Sequence, residues 1–416
     1  MFKTLLLFFV PMSIFAQSFT QDNLTFRVTS STEVSVKAKD INITTADIPD
    51  VVTNAGNSYA VTSIQINAFN ACTKLTRVTI PNTVKTVETY AFYNCALLTS
   101  IVLPDDITTI SNLAFSGCSG LTSFTIPSKV KTIGNLSFDS CTGLTSIIIP
   151  SSVTSIAESA FSYCSVLKSF TIPDSITTIE GGIFSYCRGL TSVTIGNAVT
   201  SIGTSAFSNC SSLTSISIPD SVKTIGNYAF RNCTSMTSVS IPNSVTSIGI
   251  SGFEGCSKLT TISIPASVTS LGDYSFSGCK ALTAVTVMPT TPITIDFSVF
   301  SGVTIANIPL SVPSTAVTGY KAASVWKGFK SITAISTLGN QEFDVKKIAV
   351  YPNPSSGIFN IETKENSLLE VFDLSGRKIK SQKATSEASQ VDLSNCNNGI
   401  YFLKTNGGTA KLVKSF

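Results

Sequence analysis

Ten cysteines recur at intervals of 23 residues, and no insertion or deletion interrupts the series. They are Cys72, Cys95, Cys118, Cys141, Cys164, Cys187, Cys210, Cys233, Cys256 and Cys279. A fixed period of roughly 20 to 50 residues is typical of a solenoid, in which each repeat buries its apolar side by stacking on its neighbours. The strict period therefore restricts this part of the chain to a stack of similar coils.

Each 23-residue unit carries the same structural signals in the same order. The segment TSISIP at 214–219 alternates polar and apolar side chains, which predicts a β-strand with one buried side. Pro219 ends this strand because proline has no N–H to donate to a ladder. Val222 and Ile225 then predict a second short extended piece, Gly226 a turn, and the AF..C segment a compact turn. The unit therefore predicts strands that stack in parallel and are joined by short helical turns.

The periodic cysteines are predicted to be reduced thiols, each buried in one rung of the stack. Neighbouring strands lie about 4.7–4.9 Å apart with parallel side chains, whereas a disulfide needs Cβ atoms about 3.5–4.5 Å apart on converging bonds. A free cysteine behaves as a small buried hydrophobe. The spacing of 23 residues and the absence of histidine do not match a zinc site. The sequence therefore predicts no metal and no cofactor.

The repeat pattern LTSVTIP..V.SIG..AF..C resembles the BspA-like leucine-rich repeat of bacterial surface proteins, over residues 61–288. The resemblance implies a mainly β fold, a leucine-rich-repeat solenoid of ten 23-residue units. It also implies adhesion to host or matrix proteins, to other cells or to a polymer. The departures from the pattern are Ile183 for Ala, Gly196 and Met288 for Pro, and Met236 for Leu.

Flanking segments complete the predicted domain organisation. Lys3 and an apolar run that ends at Ala16 predict a secretory signal peptide, which is too short to span a membrane. No later stretch holds 18 uninterrupted apolar residues, so no transmembrane segment is predicted for the mature chain. Ile48–Pro49 resembles a degenerate repeat, and Trp326 is expected to pack inside a cap. The predicted divisions are a signal peptide at 1–16, an N-terminal cap at 17–60, the solenoid at 61–288, a C-terminal cap at 289–336, a linker at 337–345 and a last domain at 346–416.

The last domain differs from the repeats in composition and pattern. Residues 337–416 carry 18 charged side chains, whereas the much longer 61–288 carries 21. Short alternating segments with turn signals between them predict a small antiparallel β-sandwich. Its motifs resemble the C-terminal sorting domain (type A) of the type IX secretion system of Bacteroidetes. The matching residues are Tyr351, Pro352, Asn353, Pro354, Gly357, Asp373, Gly376, Asp392, Leu393, Gly399, Tyr401, Lys411, Leu412, Val413 and Lys414.

The sorting-domain resemblance implies a route of export. The signal peptide directs the chain to the periplasm, and the type IX machinery then carries it across the outer membrane. Removal of the domain normally follows, with release or attachment to surface lipopolysaccharide. The expected location is therefore outside the cell or on its outer surface.

Charge and residue types exclude several functions. Residues 61–288 hold 11 basic and 10 acidic side chains, and these are scattered, whereas a nucleic-acid binder needs a concentrated basic footprint. The absence of histidine removes the commonest general base and the histidine-containing triads. Asp105 and Asp106 are expected on a solvated loop, and Asp174 and Asp220 in Asx-type turns. The protein is not expected to be an enzyme.

The outward strand positions form two columns of mainly Ser and Thr, which are the predicted binding face. A face of hydroxyls suits a repetitive partner such as an extracellular protein or a glycan, because each hydroxyl can donate and accept. A polysaccharide-binding accessory protein is the first alternative and an enzyme in the caps the second. Ser and Thr are also ordinary solvent-facing strand residues, and hydroxyl ladders can match ice, which mixed columns do not favour. The predicted residues are Ser146, Ser169, Thr171, Ser192, Thr194, Ser215, Ser217 and Ser238.

Overall fold

The computed structural model describes residues 17–335, 348–363, 367–373, 377–386, 388–405 and 408–415. The predicted signal peptide at 1–16, the predicted linker at 337–345 and Gly376 lie outside these residues. The chain divides after Ile335 into two compact units, and each has its own hydrophobic core. The first is a mainly β solenoid of about 13 turns, so the predicted fold class is confirmed.

The chain enters the solenoid through a small mixed sheet. Five of the first six strands pair in the order β1-β2-β3-β6-β5. The remaining one, β4, pairs in parallel with residues 77–79, so the stack begins at the degenerate repeat before the first cysteine. The six strands are β1 (Ser18–Gln21), β2 (Leu24–Val28), β3 (Glu33–Ala38), β4 (Thr45–Asp47), β5 (Val51–Asn54) and β6 (Asn57–Ile64).

The TSISIP-type segments form a first series of parallel strands. Within each strand the central residue is turned inward and its two neighbours face outward, as the alternation predicts. Ser169 pairs with Ser192 and Thr171 with Thr194, so equivalent residues stand side by side. The series continues with β7 (Arg77–Thr79), β10 (Ser123–Thr125), β12 (Ser146–Ile148), β14 (Ser169–Thr171), β16 (Ser192–Thr194), β18 (Ser215–Ser217), β20 (Ser238–Ser240), β22 (Thr261–Ile264), β24 (Ala284–Val287), β25 (Pro309–Val312) and β26 (Ser331–Ala334).

The second extended pieces form another parallel series on a different side of the coil. Each strand has two residues, of which the second is a buried Ile, Val or Leu. Five of them, β15, β17, β19, β21 and β23, form one sheet in chain order. The members are β8 (Thr86–Val87), β9 (Thr109–Ile110), β11 (Thr132–Ile133), β13 (Ser155–Ile156), β15 (Thr178–Ile179), β17 (Ser201–Ile202), β19 (Thr224–Ile225), β21 (Ser247–Ile248) and β23 (Ser270–Leu271).

The AF..C segments form tight turns in which local and coil-to-coil hydrogen bonds alternate. The Cys95 N–H donates to the Phe92 carbonyl at 3.3 Å, and the Phe92 N–H donates to the Ala114 carbonyl of the next coil at 2.8 Å. Each turn also contains residues with left-handed backbone, such as Tyr90 at φ 59° and Asn94 at φ 57°. The predicted short helical turns are therefore single turns that stack through their own backbone.

The phenylalanines of the turns form a continuous ladder through the core. Adjacent rings from Phe69 to Phe300 are stacked with centroids 5.1–6.1 Å apart and planes within 19° of parallel. The ladder ends where Trp326 meets Phe300 edge-on, with centroids 5.8 Å apart. The indole N–H of Trp326 donates to the Ile293 carbonyl at 2.7 Å, so the predicted cap packing of this residue is confirmed.

The cysteines form a second ladder beside the rings, and all ten are buried with free thiols, as predicted. From Cys95 onward, each thiol donates to the carbonyl of the Phe in the preceding coil, with Sγ–O distances of 3.0–3.3 Å. Burial raises the pKa of Cys118, Cys233 and Cys279 from 9.0 to about 12. These three thiols are therefore protonated donors at neutral pH.

Gly226 has a different role from the turn that the sequence predicts. A Cβ atom built on Gly226 would lie 2.8 Å from the carbonyl carbon of Gly203 in the preceding coil. Real Cβ atoms essentially never approach a backbone atom so closely. The backbones of adjacent coils approach closely at this glycine.

The far end of the solenoid is built from short helical segments. A 3₁₀ turn occupies Ser314–Ala316 and leads into the only α-helix of the described residues, α1 (Val317–Ala322). Ser314 lies inside the 3₁₀ turn and does not cap the helix. Further 3₁₀ turns lie at Phe297–Phe300, Ile305–Asn307 and Trp326–Gly328.

The second unit consists of antiparallel sheets, as predicted for the C-terminal domain. One sheet has the order β27-β28-β31 and the other the order β30-β29-β32-β33. Phe359, Val391 and Leu403 are fully buried in their common core. The strands are β27 (Val350–Tyr351), β28 (Ile358–Glu362), β29 (Leu368–Phe372), β30 (Lys378–Lys383), β31 (Ala388–Asp392), β32 (Gly399–Thr405) and β33 (Gly408–Lys414).

Replacing Ser137 by Ala should stabilise the solenoid. Ser137 is fully buried, and its hydroxyl has no hydrogen-bond partner in the described structure, where six of the equivalent positions hold Ala. A buried unsatisfied hydroxyl costs about 1–3 kcal/mol, so its removal should raise the free energy of unfolding by that order. Chemical denaturation of the two proteins measures the difference.

The reverse substitution is the matched control for Ser137→Ala. Ala114 occupies the same column one coil earlier and is also fully buried. Ala114→Ser should lower the free energy of unfolding, because it adds an unsatisfied hydroxyl. A destabilised Ser137→Ala variant would show that the Ser137 hydroxyl has a partner after all.

Alkaline pH should destabilise the solenoid through its thiols. An unfolded cysteine ionises near pH 9, whereas the folded Cys118, Cys233 and Cys279 ionise near 12. Between these values the folded chain binds more protons, so the free energy of unfolding falls as pH rises. Urea titrations at pH 8 and pH 10.5 measure the change. The Cys233→Ala variant should lose less stability between these two pH values than the wild type, and an equal loss would contradict the role of the thiol.

Candidate functional site: the strand face and the sorting-domain clamp

The predicted binding face lies on the outer side of the first strand series. All eight predicted residues are exposed, and they alternate with buried Ile, Val or Phe. No hydroxyl of these eight donates to or accepts from another part of the described chain. The eight are Ser146, Ser169, Thr171, Ser192, Thr194, Ser215, Ser217 and Ser238. Their hydrogen-bonding capacity is therefore directed to solvent.

Other Ser and Thr columns of the repeat use their hydroxyls inside the fold. At the start of the first strand, the Thr191 hydroxyl donates to the Lys168 carbonyl of the preceding coil at 3.0 Å. On the second extended piece, the Thr200 hydroxyl donates to the Thr177 carbonyl at 3.0 Å. After the proline, Ser221 donates to the Val199 carbonyl at 2.6 Å. These columns are structural, and the sequence signal is the presence of Thr at nine of ten strand-start positions.

The strand face is interrupted along its length. Strands pair as β10 with β12, β14 with β16 and β18 with β20, and no ladder joins β12 to β14 in the described chain. The coil at 99–104 forms no strand. Val102 and Ile148 stand in the outer column and are 77% and 83% exposed. The face is therefore a row of short hydroxyl-bearing ribbons with two isolated apolar side chains.

Two of the acidic residues named from the sequence, Asp106 and Asp174, have structural partners. Asp106 forms an ion pair with Lys129 at 2.5 Å on the surface. The Asp174 carboxylate accepts from the Asn197 N–H of the next coil at 2.6 Å, so this residue links coils and does not form the expected Asx-type turn. At the N-terminal cap, a cavity of about 490 Å³ is lined by Asp22, Asn23 and Asp47. Asp47 there binds the Arg77 guanidinium at 3.0 Å.

The tyrosines of the repeats were not predicted as functional residues. All six that occur within 61–288 lie in the turn segments, and the strand face holds none. Aligning the repeats by their cysteines would have revealed this segregation. The six are Tyr90, Tyr93, Tyr163, Tyr186, Tyr228 and Tyr274.

In the second unit, Asn353 joins two separate motifs of the predicted sorting signal. Its amide N–H donates to the Lys411 carbonyl at 2.6 Å, and its amide oxygen accepts from the Val413 N–H at 2.8 Å. Next to it, the Ser355 N–H donates to the Val413 carbonyl at 2.9 Å. The Tyr351-Pro352-Asn353-Pro354 segment therefore holds the outer edge of β33.

Lys414 fixes the same strand to the loop that follows β31. Its side chain is only 8% exposed, and its ammonium donates to the carbonyls of Ser394, at 2.8 Å, and Cys396. Lys411, three residues earlier, points to solvent. The two lysines of this motif thus have different surroundings. The Lys414 side chain fixes β33 to the loop after β31, whereas the Lys411 side chain is exposed.

The other described motif residues shape the same region. Gly357 has φ 146°, and a Cβ there would lie 2.7 Å from the Ser394 Cα atom. Asp392 accepts from the Ser394 N–H, and hydrogen bonds from the Ser394 side chain and backbone lower the pKa of its carboxyl. The Tyr401 hydroxyl donates to the Asn397 carbonyl at 2.7 Å. Gly399 has φ 155° at the start of β32, Leu393 is buried, and Asp373 pairs with Arg377 at 3.0 Å.

Family profiles match both units. The BspA-type leucine-rich repeat region matches at 52–168, 85–214 and 200–323, which together span more than half of the chain. The chain therefore belongs to the BspA-type leucine-rich-repeat family. The secretion system C-terminal sorting domain matches at 349–416. Together these families indicate a protein that is secreted or displayed on the outer cell surface, with type IX secretion handling.

Solved structures include similar solenoids. A leucine-rich repeat protein from Bacteroides ovatus is 27% identical, with 76% of each chain covered and a TM-score of 0.53. The pneumococcal vaccine antigen PcpA is 16% identical, with 77% of this chain and 98% of that chain covered and a TM-score of 0.50, a likeness of fold alone. No curated protein matches the chain at a significant level.

Within the ranges that the structure describes, no helix has the length and apolar character needed to cross a bilayer. Leucine-rich-repeat proteins of this family are typically non-enzymatic.

Replacing Lys414 by Met should loosen β33, whereas the same change at Lys411 should not. The first change removes a buried ammonium and leaves the Ser394 and Cys396 carbonyls without their donor, a loss of about 1–3 kcal/mol. Hydrogen exchange of peptides that cover 408–415, measured by mass spectrometry on the full chain, should be faster only in Lys414→Met.

The contacts of Asn353 and Lys414 that fix β33 form the sorting-domain clamp. Export of the same two variants tests whether this clamp is needed for sorting. A chain that lacks 346–416 provides the reference for complete retention in the periplasm. Lys414→Met should reach the cell surface or medium in smaller amounts than Lys411→Met. Equal exchange and equal export of the two variants would contradict a role for the Lys414 clamp.

Proposed function

We propose that this is an exported, non-enzymatic adhesion protein that binds an extracellular protein through its Ser/Thr strand face. Residues 17–60 and 289–336 would cap the solenoid, and 346–416 would carry the secretion signal. The type IX machinery would recognise the domain whose ends Asn353 and Lys414 hold together.

One observation carries the choice of surface. Hydroxyls such as those of Thr191, Thr200 and Ser221 are used between coils, but those of the eight strand-face residues are not. A residue such as Ser192 therefore offers a donor and two acceptor positions to a partner. Individual contacts of this kind are weak, about 0.5–1.5 kcal/mol net, so affinity would come from several rungs at once.

Two other functions lead to different results in one experiment. A polysaccharide-binding accessory protein would bind glycans through the strand face, and an enzyme would turn over a ligand in a cap cavity. Probing arrays of extracellular matrix proteins and of glycans with the exported chain distinguishes them. The proposal expects binding to matrix proteins that depends on the strand face.

Charges on the strand face should abolish binding to the protein that gives the strongest array signal. The variant carries Ser169→Lys, Ser192→Glu, Thr194→Glu and Ser215→Lys, whereas any one Ser→Ala change should have little effect. Opposite charges on paired strands are tolerated, so the variant should fold. Its affinity is measured by surface plasmon resonance and its folding by thermal denaturation.

The matched control places charges on the second extended piece. Thr177→Lys, Thr224→Glu and Ser270→Lys alter exposed positions on another side of the coil, and none of their hydroxyls is bonded within the described chain. This variant should keep the wild-type affinity. If it loses binding while the strand-face variant keeps it, the strand face is the wrong surface.

A further inference from the structure

The turn side of the solenoid carries strained tyrosines. Five of the six repeat tyrosines have left-handed backbone, with φ between 56° and 61°. This conformation is rare for a bulky residue because the Cβ atom crowds the carbonyl oxygen. The position before each cysteine is left-handed throughout, and six of the ten coils place Asn or Gly there, which adopt it at low cost. Tyr163 and Tyr186 occupy it in two consecutive coils.

Burial does not compensate for this strain. Tyr163 is 47% exposed, so its ring contributes little to the core. Residues held in a sparsely populated backbone conformation cluster at functional sites. The position of these two rings therefore requires a reason outside the packing of the coil.

The two rings form one end of an ordered stack. Their centroids are 4.6 Å apart and their planes are within 3° of parallel. The Arg188 guanidinium lies over the Tyr186 ring, 5.7 Å from its centroid. In the preceding two coils the equivalent positions are Ser140 and Gly117, which are small. Tyr163 thus has one face covered by Tyr186, and it remains 47% exposed.

A fixed carboxylate stands in the coil before Tyr163. Asp139 accepts from the hydroxyls of Ser162 at 2.5 Å, Ser140 at 3.0 Å and Ser116 at 3.4 Å. These bonds orient the carboxylate beside the residue that precedes Tyr163. A carboxylate has about four acceptor positions, so capacity for one further donor remains.

We propose that Tyr163, supported by Tyr186 and flanked by Asp139, binds one sugar ring of a neutral polysaccharide on the turn side. The C–H bonds of a pyranose carry partial positive charge and stack on the negative face of an aromatic ring. Its hydroxyls supply the donor that Asp139 can still accept, in a charge-assisted bond. Asp139 and Arg188 contribute one charge of each sign, which gives no preference for a charged polymer. This site is separate from the strand face, so it does not depend on the adhesion proposal.

Affinity gel electrophoresis of the full chain in soluble β-glucan, xylan and mannan tests the site. At least one of these polymers should retard the wild type. Tyr163→Asn should weaken that binding by about tenfold, as expected for the loss of one aromatic contact. Its melting temperature should equal or exceed that of the wild type, because Asn tolerates the left-handed backbone. Tyr163→Phe keeps the ring and should bind normally, and Asp139→Asn should bind more weakly.

The strand-face charge variant is the control, and it should be retarded like the wild type. The proposal is wrong if none of the three polymers retards the full chain, or if Tyr163→Asn is retarded as strongly as the wild type. Tyr163-dependent binding of an arginine-rich peptide in place of the polymers would also overturn it, since the open ring face would then serve a cation.

Discussion

A shared carbonyl in each turn holds the solenoid in register. The Phe92 carbonyl accepts from the Cys95 N–H of its own coil and from the Cys118 thiol of the next coil, at 3.3 and 3.1 Å. This carbonyl is buried, where a polar group without a partner is costly. An insertion between Phe92 and Cys95 would displace Cys95 and break both of its bonds, from its N–H to the Phe92 carbonyl and from its thiol to the Phe69 carbonyl. The constant spacing of three residues from Phe to Cys in each turn follows from this requirement.

Cysteine suits this position because it combines an apolar surface with a weak donor. The site lies beside the stacked phenylalanine rings, where a small hydrophobe is favoured. The surroundings also keep the donor in place: burial raises the pKa of Cys233 to about 12, so the proton that bonds the carbonyl of Phe207 is retained. The same environment that makes the thiols unreactive thus lets them act as structural hydrogen-bond donors.

Aligning the repeats predicts most of the solenoid, but it does not predict the contacts between adjacent coils. Alignment shows that Ile216 is turned inward and Ser215 outward, because the strand alternation has only one apolar side. It does not show which atoms of adjacent coils meet. Three features depend on coil-to-coil geometry: the close approach at Gly226, the hydrogen bond from the Asn197 N–H to the Asp174 carboxylate, and the absence of a hydrogen-bonded ladder between β12 and β14 in the described chain. In the second unit, alternation predicts the strands, whereas the clamp by Asn353 joins residues 58 positions apart along the chain.

Because the coils must stack, only some positions of the repeat can change and so alter what the protein binds. Inward positions belong to ladders that run through every coil, so a new side chain there disturbs two neighbours at once. Outward positions are free of this requirement and differ between coils. Ile148 and Lys168 stand out on the strand side, and Asp139, Tyr163 and Tyr186 on the turn side. A nearly constant core with outward residues that differ between coils is the pattern expected when stacking fixes the frame and recognition is left to the surface.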